Sequence, residues 1–504
     1  MKYLSLLIIL VASVCVASAQ EKPNIVFILA DDLGYGDLGC YGQEKIKTPH
    51  VDKLAAEGLR FTQHYTGAPV CAPARCVLMT GRHLGHAEVR GNKDSGNGRI
   101  FPGQWPLTAD ALTIAEVLKG AGYATGAFGK WGLGPSVSTG SPIKQGFDRF
   151  YGYNCQRNAH SFYPMFLDSD EREVVVNKYP IPGHDRKPEG EVDADDYRSE
   201  QYSSDLVLAE ALKFLDQSKD KPFFLYLPFL EPHVSMQPPK EWVDRYPKEW
   251  DDESLGGKGV YRGQNGYLPH DRPRAAYAAM ISDLDEHVGA VMERLERHGL
   301  TDNTIVIFTS DNGTTHESRD PKFHVGGCDA PFFNSTAGLR GYKGSCYEGG
   351  IRIPCVVRWP GVVKPGSVSD VPGYFPDWFP TLAGIGGATV PEGHALDGID
   401  LRPALSGEGT GDRKEPMIWD FHNYGGIIAI RDGQWKAVRK NTVVKKAMTP
   451  WELYNLDTDR EETNDLAAKH PDIVKRLEKF WLDNRTVEPD FPVPDVDGKT
   501  ELSN

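Results

Sequence analysis

Short apolar runs alternate along this chain with segments whose apolar positions recur every three or four residues. Residues 24–29 (Asn-Ile-Val-Phe-Ile-Leu), 222–229 and 304–309 are of the first kind, with 122–128 and 354–360 as further strand-like stretches. Continuous apolarity over so few residues is the pattern of a strand covered on both faces, as in a parallel sheet. Residues 48–61, 112–121, 206–215 and 275–298 are of the second kind. In the first of these, Val51, Leu54 and Ala55 share one helical face and Gly58 reads as the C-cap. In the last, Tyr277, Met280, Ile281, Leu284, Val288, Val291, Met292 and Leu295 form one long stripe, which Gly299 ends. Strands alternating with helices predict an α/β/α sandwich around a large, mainly parallel sheet.

The texture changes near Pro416. Residues 427–431, 434–439 and 451–455 are short strand-like segments separated by turns, and 472–483 is an amphipathic helix. This predicts a small C-terminal antiparallel sheet with one packed helix. The expected division is a signal segment at 1–19, one large unit over 20–414 and a C-terminal subdomain over 415–504. Residues 140–190 show no clear pattern and read as long loops. Residues 246–272 are acidic, aromatic and Gly-rich and read as a surface insertion, and 487–504 as a loose end.

Charge narrows the partners. The net charge of −14 argues against nucleic acid and anionic membranes. An anionic substrate then needs a local basic pocket. Lys2, the apolar run from Leu4 to Val16 and Ala17-Ser18-Ala19 make a secretory signal, so the chain is expected to be exported, to a periplasm or outside the cell. Val14 before Cys15 does not suit a lipid-anchoring site, and no later stretch is apolar enough to span a bilayer, so no membrane anchor is expected. Beyond the signal stand Cys40, Cys71, Cys76, Cys155, Cys328, Cys346 and Cys355, whose pairing is open.

The candidate chemistry gathers where the strand runs end. Residues 24–29 lead into Asp31-Asp32, and 304–309 into Asp311-Asn312. Sites in open α/β sheets form outside the carboxyl ends of strands. Carboxylates crowded beside a buried strand need a cation, and this all-oxygen set suits Ca²⁺ or Mg²⁺. Cys71-Ala72-Pro73-Ala74-Arg75 opens an apolar segment in which Pro73 marks a first helical turn. A thiol there, with Arg75 one turn on, reads as a reactive group beside an anion site. The strand run 222–229 delivers Glu231-Pro232-His233, and the Gly-rich stretch 90–99 holds Asn92 and Lys93.

These motifs in order resemble the type I, formylglycine-dependent sulfatases of the alkaline-phosphatase-like superfamily. Cys71-x-Pro73-x-Arg75 with Thr80-Gly81-Arg82 resembles the family's first signature, Gly129-Lys130-Trp131-Gly132-Leu133-Gly134 its second, and Lys343-Gly-x-x-x-Glu348-Gly349-Gly350 a further block. The resemblance implies that a maturation enzyme converts Cys71 to formylglycine, whose hydrate is the nucleophile. It implies one Ca²⁺ held by Asp31, Asp32, Asp311, Asn312 and the oxygen at position 71. Arg75, Lys130, His233 and Lys343 then face the sulfate and the leaving oxygen, while Glu348 and Arg352 are structural. The substrate implied is a sulfated saccharide or small molecule, with the insertions between 140 and 272 setting specificity. The sequence departs from the pattern at Gly132, where the family has a His proposed to help release sulfate. His83, His86, His233 and His324 are candidates to replace it. Two other readings are a phosphate mono- or diester hydrolase of the same superfamily and a non-catalytic binder of sulfated glycans.

Overall fold

The structure, a computed structural model, describes residues 22–93, 104–182, 190–263, 267–316, 327–411 and 413–498. One sheet is built from β1 (Asn24–Ala30), β2 (Leu59–Tyr65), β3 (Ala124–Lys130), β4 (Arg149–Tyr153), β5 (Phe166–Ser169), β6 (Arg172–Val175), β7 (Phe223–Pro228), β8 (Thr304–Ser310), β9 (Arg352–Arg358), β10 (Ser367–Ser369) and β11 (Gly373–Tyr374). Its order is β10-β2-β9-β8-β1-β7-β3-β4-β5-β6, with β11 also on β2. The centre, β8-β1-β7-β3-β4, is parallel throughout. The antiparallel strand β9 joins β8 to β2.

Each central strand is buried on both faces, which explains its unbroken apolarity. Ile25, Phe27 and Leu29 of β1 face one core with the helices Cys71–Thr80, Ile114–Gly120 and Trp378–Gly386. Val26, Ile28 and Ala30 face the other with Pro49–Glu57, Ser203–Ser218 and Pro273–Arg297. Three layers result, as the alternation of strands and helices predicts. Five parallel strands therefore send their carboxyl ends to one rim of the sheet.

A second sheet of β12 (Met417–Phe421), β13 (Ile427–Asp432), β14 (Trp435–Lys440) and β15 (Glu452–Asn455) is antiparallel in that order. Its strands alternate. Met417, Trp419, Phe421, Ala429 and Val438 join the first core, while Ile418, Ile428, Ile430 and Leu453 take Leu477 and Trp481 of the helix Pro471–Asp483. Burying each such side chain stabilises by about 1.5–3 kcal/mol.

Four expectations need correction. Residues 140–190 are not all loop, because β4, β5 and β6 extend the sheet there. Their mixed polarity follows from an outer position, where β5 and β6 cover less core. The stretch 246–272 is not merely a surface insertion. Tyr246 and Asp251 are buried, and the Asp251 carboxylate accepts from the backbone N–H of Arg274 and Ala275, capping the long helix from a distance. The tail is not loose as far as residue 498, because Phe491 and Val493 are buried and Asp497 pairs with Arg485. Gly58 does cap its helix, but at φ −136° rather than left-handed, because β2 follows directly. No disulfide joins cysteines among the described residues. The signal segment, Cys15 and His324 lie outside them.

Candidate active site

The ends of β1, β8, β3 and β7 bring the candidates together. Asp31 and Asp32 follow β1, Asp311 and Asn312 follow β8, Lys130 closes β3, and His233 lies just beyond β7. The Cys71–Thr80 helix points its first residue at them, so Pro73 is its third residue and still within the turn whose N–H groups are unpaired. All of these side chains are buried.

The Cys71 thiol donates to Asp31 Oδ1 at 3.3 Å. Arg75 forks onto Asp311 Oδ2 at 2.8 and 3.2 Å and reaches Asp31 Oδ2 at 3.3 Å, and its Nη1 also donates to the Lys130 carbonyl. The Lys130 ammonium bonds Asp31 Oδ2. Lys343 holds Asp32 at 2.7 and 2.8 Å. Asn312 donates its amide N–H to Asp32 Oδ1 at 2.7 Å, and the Asp32 backbone N–H bonds Asp311 Oδ1 at 3.2 Å. His233 places Nε2 3.7 Å from Asp32 Oδ2. Asp32 itself adopts φ +69°, a left-handed conformation that is costly for a residue with a side chain. The surrounding bonds hold it there, and it turns the carboxylate into the cluster.

Electrostatics assign the protons. Burial works against charge on Asp31, yet Lys130, foremost among its cationic neighbours, and Arg75 hold its carboxyl well below the usual range. Burial pushes the Asp311 carboxyl up to about 6, helped by Asp31 and opposed by Arg75. Burial likewise raises Asp32 against the pull of Lys343. A divalent cation among them would bring all of these carboxyls down. Burial opposes the Lys343 charge, but Asp32 more than restores it and holds the ammonium well above its ordinary value. Burial, then Lys343 and Lys130, push His233 far down, so its ring is neutral. Its Nδ1 faces the Val234 carbonyl. That contact fixes the proton on Nδ1 and leaves Nε2 as a bare acceptor.

Cys71 differs from the sequence reading in one respect. Burial first, and Asp31 second, push its thiol up, beyond the pull of Lys130 and Lys343. The helix N-terminus and nearby cations do not make it an activated thiolate. It stays a protonated thiol bonded to a carboxylate.

The residues suit a hard cation. Asp31, Asp32, Cys71 and His233 offer ligand atoms within 4.8 Å of one another. The Asn312 amide oxygen is buried with no hydrogen-bond partner, an acceptor aimed where an ion would stand. Three cationic side chains, Arg75, Lys130 and Lys343, meet three carboxylates, which leaves a divalent ion's charge available to an anion.

The candidates for the missing His separate cleanly. His83 and His86 lie past the far end of the Cys71–Thr80 helix, where they stack on each other beside Asp397. Ten helical residues, about 15 Å, separate them from Cys71. Only His233 of the described candidates is in the cluster. Gly132 adopts φ +82°, and a Cβ there would fall 2.0 Å from Gln156 Nε2. The Gln156 amide fills the space of the absent side chain, and both its polar atoms are buried without a partner. Sequence reasoning missed Gln156, as it did His160, whose ring stacks on His233, and Tyr267, whose ring is tilted against both. Glu348 and Arg352 are structural as expected. Glu348 accepts from Tyr65 and Lys436, and Arg352 donates to the Thr62 carbonyl.

Comparison with known proteins gives a consistent picture. The sulfatase family profile matches residues 23–388, and the profile of the N-sulphoglucosamine sulphohydrolase C-terminal region matches 342–486. Human arylsulfatase A is 35% identical, over 95% of this chain and 90% of that protein. The N-acetylgalactosamine-6-O-sulfatase of Bacteroides thetaiotaomicron is 30% identical, over 92% of this chain and 93% of that protein. The crystal structure of Ps i-CgsB in complex with k-i-k-neocarrahexaose superposes with a TM-score of 0.73 at 29% identity, covering 95% of this chain and 96% of that one. A phosphonate monoester hydrolase of Agrobacterium radiobacter, at 21% identity and a TM-score of 0.58, shares the fold alone.

Proposed function

The chain belongs to the sulfatase family, and from that premise we propose that it releases inorganic sulfate from sulfated saccharides through a formylglycine made from Cys71 and a bound Ca²⁺. Its relatives are sulfuric ester hydrolases by name, and so is this protein. The observation that carries the finer reading is the state of Cys71. Its side chain is buried, bonded to Asp31 and placed at the centre of the cation and carboxylate cluster. An aldehyde hydrate at that position would offer oxygen, the donor that a hard cation and the neighbouring carboxylates and lysines suit. Export, a maturation enzyme as partner, and the division into 1–19, 20–414 and 415–504 belong to the same reading.

Asp31, Asp32, Asp311 and Asn312 would hold the Ca²⁺, with the oxygen at position 71 beside it. When present, the ion supplies positive charge to the sulfate oxygens and the hydrated aldehyde supplies an oxygen nucleophile. The chain's own residues do the rest. Arg75, fixed by two carboxylates, orients position 71 and adds positive charge at the helix N-terminus. Lys130 draws the sulfate toward Asp31's side of the pocket. Lys343, kept charged by Asp32, donates a hydrogen bond to the leaving oxygen as negative charge develops there. Neutral His233 accepts a proton at Nε2, and so takes the role the family's usual His would fill. Acid–base help of this kind is worth about 10²- to 10⁴-fold.

The test is made on protein co-expressed with a maturation enzyme. The tryptic peptide 61–75 should carry the mass of an aldehyde or its hydrate at position 71, and sulfate should be released from sulfated hexosamines. Cys71→Ala should release none. Near-normal release by that variant would overturn the mechanism.

A further inference from the structure

The turn between β12 and β13 belongs to the second sheet, yet it is fastened to the active site at three points. The His422 N–H bonds the Arg90 carbonyl at 2.9 Å. Asn423 Oδ1 accepts from the Asn92 backbone N–H, and the Asn92 side chain in turn accepts from the Ala72 N–H at 3.2 Å, beside Cys71. The next residue, Tyr424, lies against Gly344, where a Cβ would fall 2.7 Å from its ring. Gly344 follows Lys343 and bonds the Pro69 carbonyl at 2.8 Å.

Tyr424 pays for this placement in backbone terms. It adopts φ +53°, a conformation that is costly for an aromatic residue, and Gly425 and Gly426 continue left-handed behind it. Its ring packs on Phe421 and still leaves 58% of the residue open to solvent. Burial raises its hydroxyl above the ordinary tyrosine value, and the Lys343 ammonium is near enough to work against that rise. Tyr267 packs tilted against His160, with ring centroids 5.2 Å apart, and Lys343 likewise opposes the rise that burial gives its hydroxyl. A largely exposed aromatic residue, held at a backbone cost against the glycine that follows Lys343, is a surface for a ring to lie on. Sugar rings present C–H faces that pack on aromatic faces, and such contacts add to affinity without touching the reacting atoms.

We propose that Tyr424 determines specificity by stacking on the pyranose ring of the alcohol half of the sulfate ester. The inference rests on the sulfatase reading above. Steady-state kinetics of the matured enzyme on a hexosamine sulfate test it, with inorganic sulfate as competitive inhibitor. Tyr424→Ala should raise KM by roughly five- to tenfold, with kcat and the Ki of inorganic sulfate unchanged, since sulfate has no ring to stack. Tyr424→Phe should behave as wild type. Equal rises in KM and in the sulfate Ki would mean that Tyr424 only supports the pocket, and unchanged KM would mean that it touches no substrate; either overturns the proposal while sulfatase activity stands. A matured wild type that releases no sulfate from any ester would overturn the underlying reading and this inference with it.

Discussion

At the scale of single residues, Gly132 stands where the second signature's resemblance leads one to expect His, and its surroundings leave no room for one. The backbone there is left-handed and the Gln156 amide stands in the side chain's place. Gly132→His should lower stability by about 1–3 kcal/mol, through overpacking and the backbone conformation together. Adding Gln156→Ala should recover the packing share and leave about 1 kcal/mol of backbone cost. Thermal unfolding of the single and double variants decides this; equal melting temperatures would refute the packing account. Asp31, Asp32, Asp311, Asn312 and Lys130 were legible in the sequence because each ends a buried strand run, so its position follows from local pattern alone. Gln156, His160, Tyr267 and Tyr424 were not. Each reaches the site from a loop or turn whose course is set by long-range packing, and no period in the sequence encodes it.

At the scale of elements, the joint between the two sheets adds a buried ionic contact to its apolar one. Lys436 of β14 is fully buried, 2.8 Å from Glu348 and 2.9 Å from Glu462. Glu348 begins the turn that follows Lys343, and Tyr65 of β2 donates to it at 2.6 Å. A strand of the second sheet thus neutralises a carboxylate of the first. Removing one partner of a buried ion pair costs about 3–5 kcal/mol, because the other charge stays buried. Lys436→Met should lose stability in that range by urea unfolding, and a loss below about 1 kcal/mol would show that the carboxylates find other partners. The strands of both sheets could be read from apolar runs and turns. Their docking could not, since Lys436 in the sequence is one more lysine in an alternating strand.

At the scale of the whole molecule, buried histidines couple stability to pH. Burial, their leading cause, lowers His64 and His270 to about 3 and His83 to about 4. His64 Nε2 accepts from the Trp378 indole at 3.0 Å, which suits only the neutral ring. An unfolded His binds its proton near pH 6.5. Between there and about pH 4 the unfolded chain therefore holds protons that these three folded-state rings refuse, and their contribution to stability falls as pH drops. Three such groups can contribute up to about 4 kcal/mol per pH unit. Asp283 and Glu462, raised to about 7 by burial, and Asp285 and Asp311, raised to about 6, take up protons over the same range and work the other way. The histidine share is therefore read from a variant: His64→Gln should gain melting temperature relative to the wild type as pH drops from 7 to 5, and parallel profiles would exclude this source of acid lability. The same closeness of packing has a consequence in time. Cys71 is 1% exposed and forms the first turn of a helix locked beneath β1 and β8. On the proposed reading, an enzyme that oxidises it needs access to its side chain, and the folded protein offers almost none. β8 and β9 are synthesised long after residue 71 emerges, so the growing chain passes through an interval in which that cysteine is accessible. If Cys71 is oxidised as proposed above, that interval is when it happens, and a copy that folds first would keep its thiol.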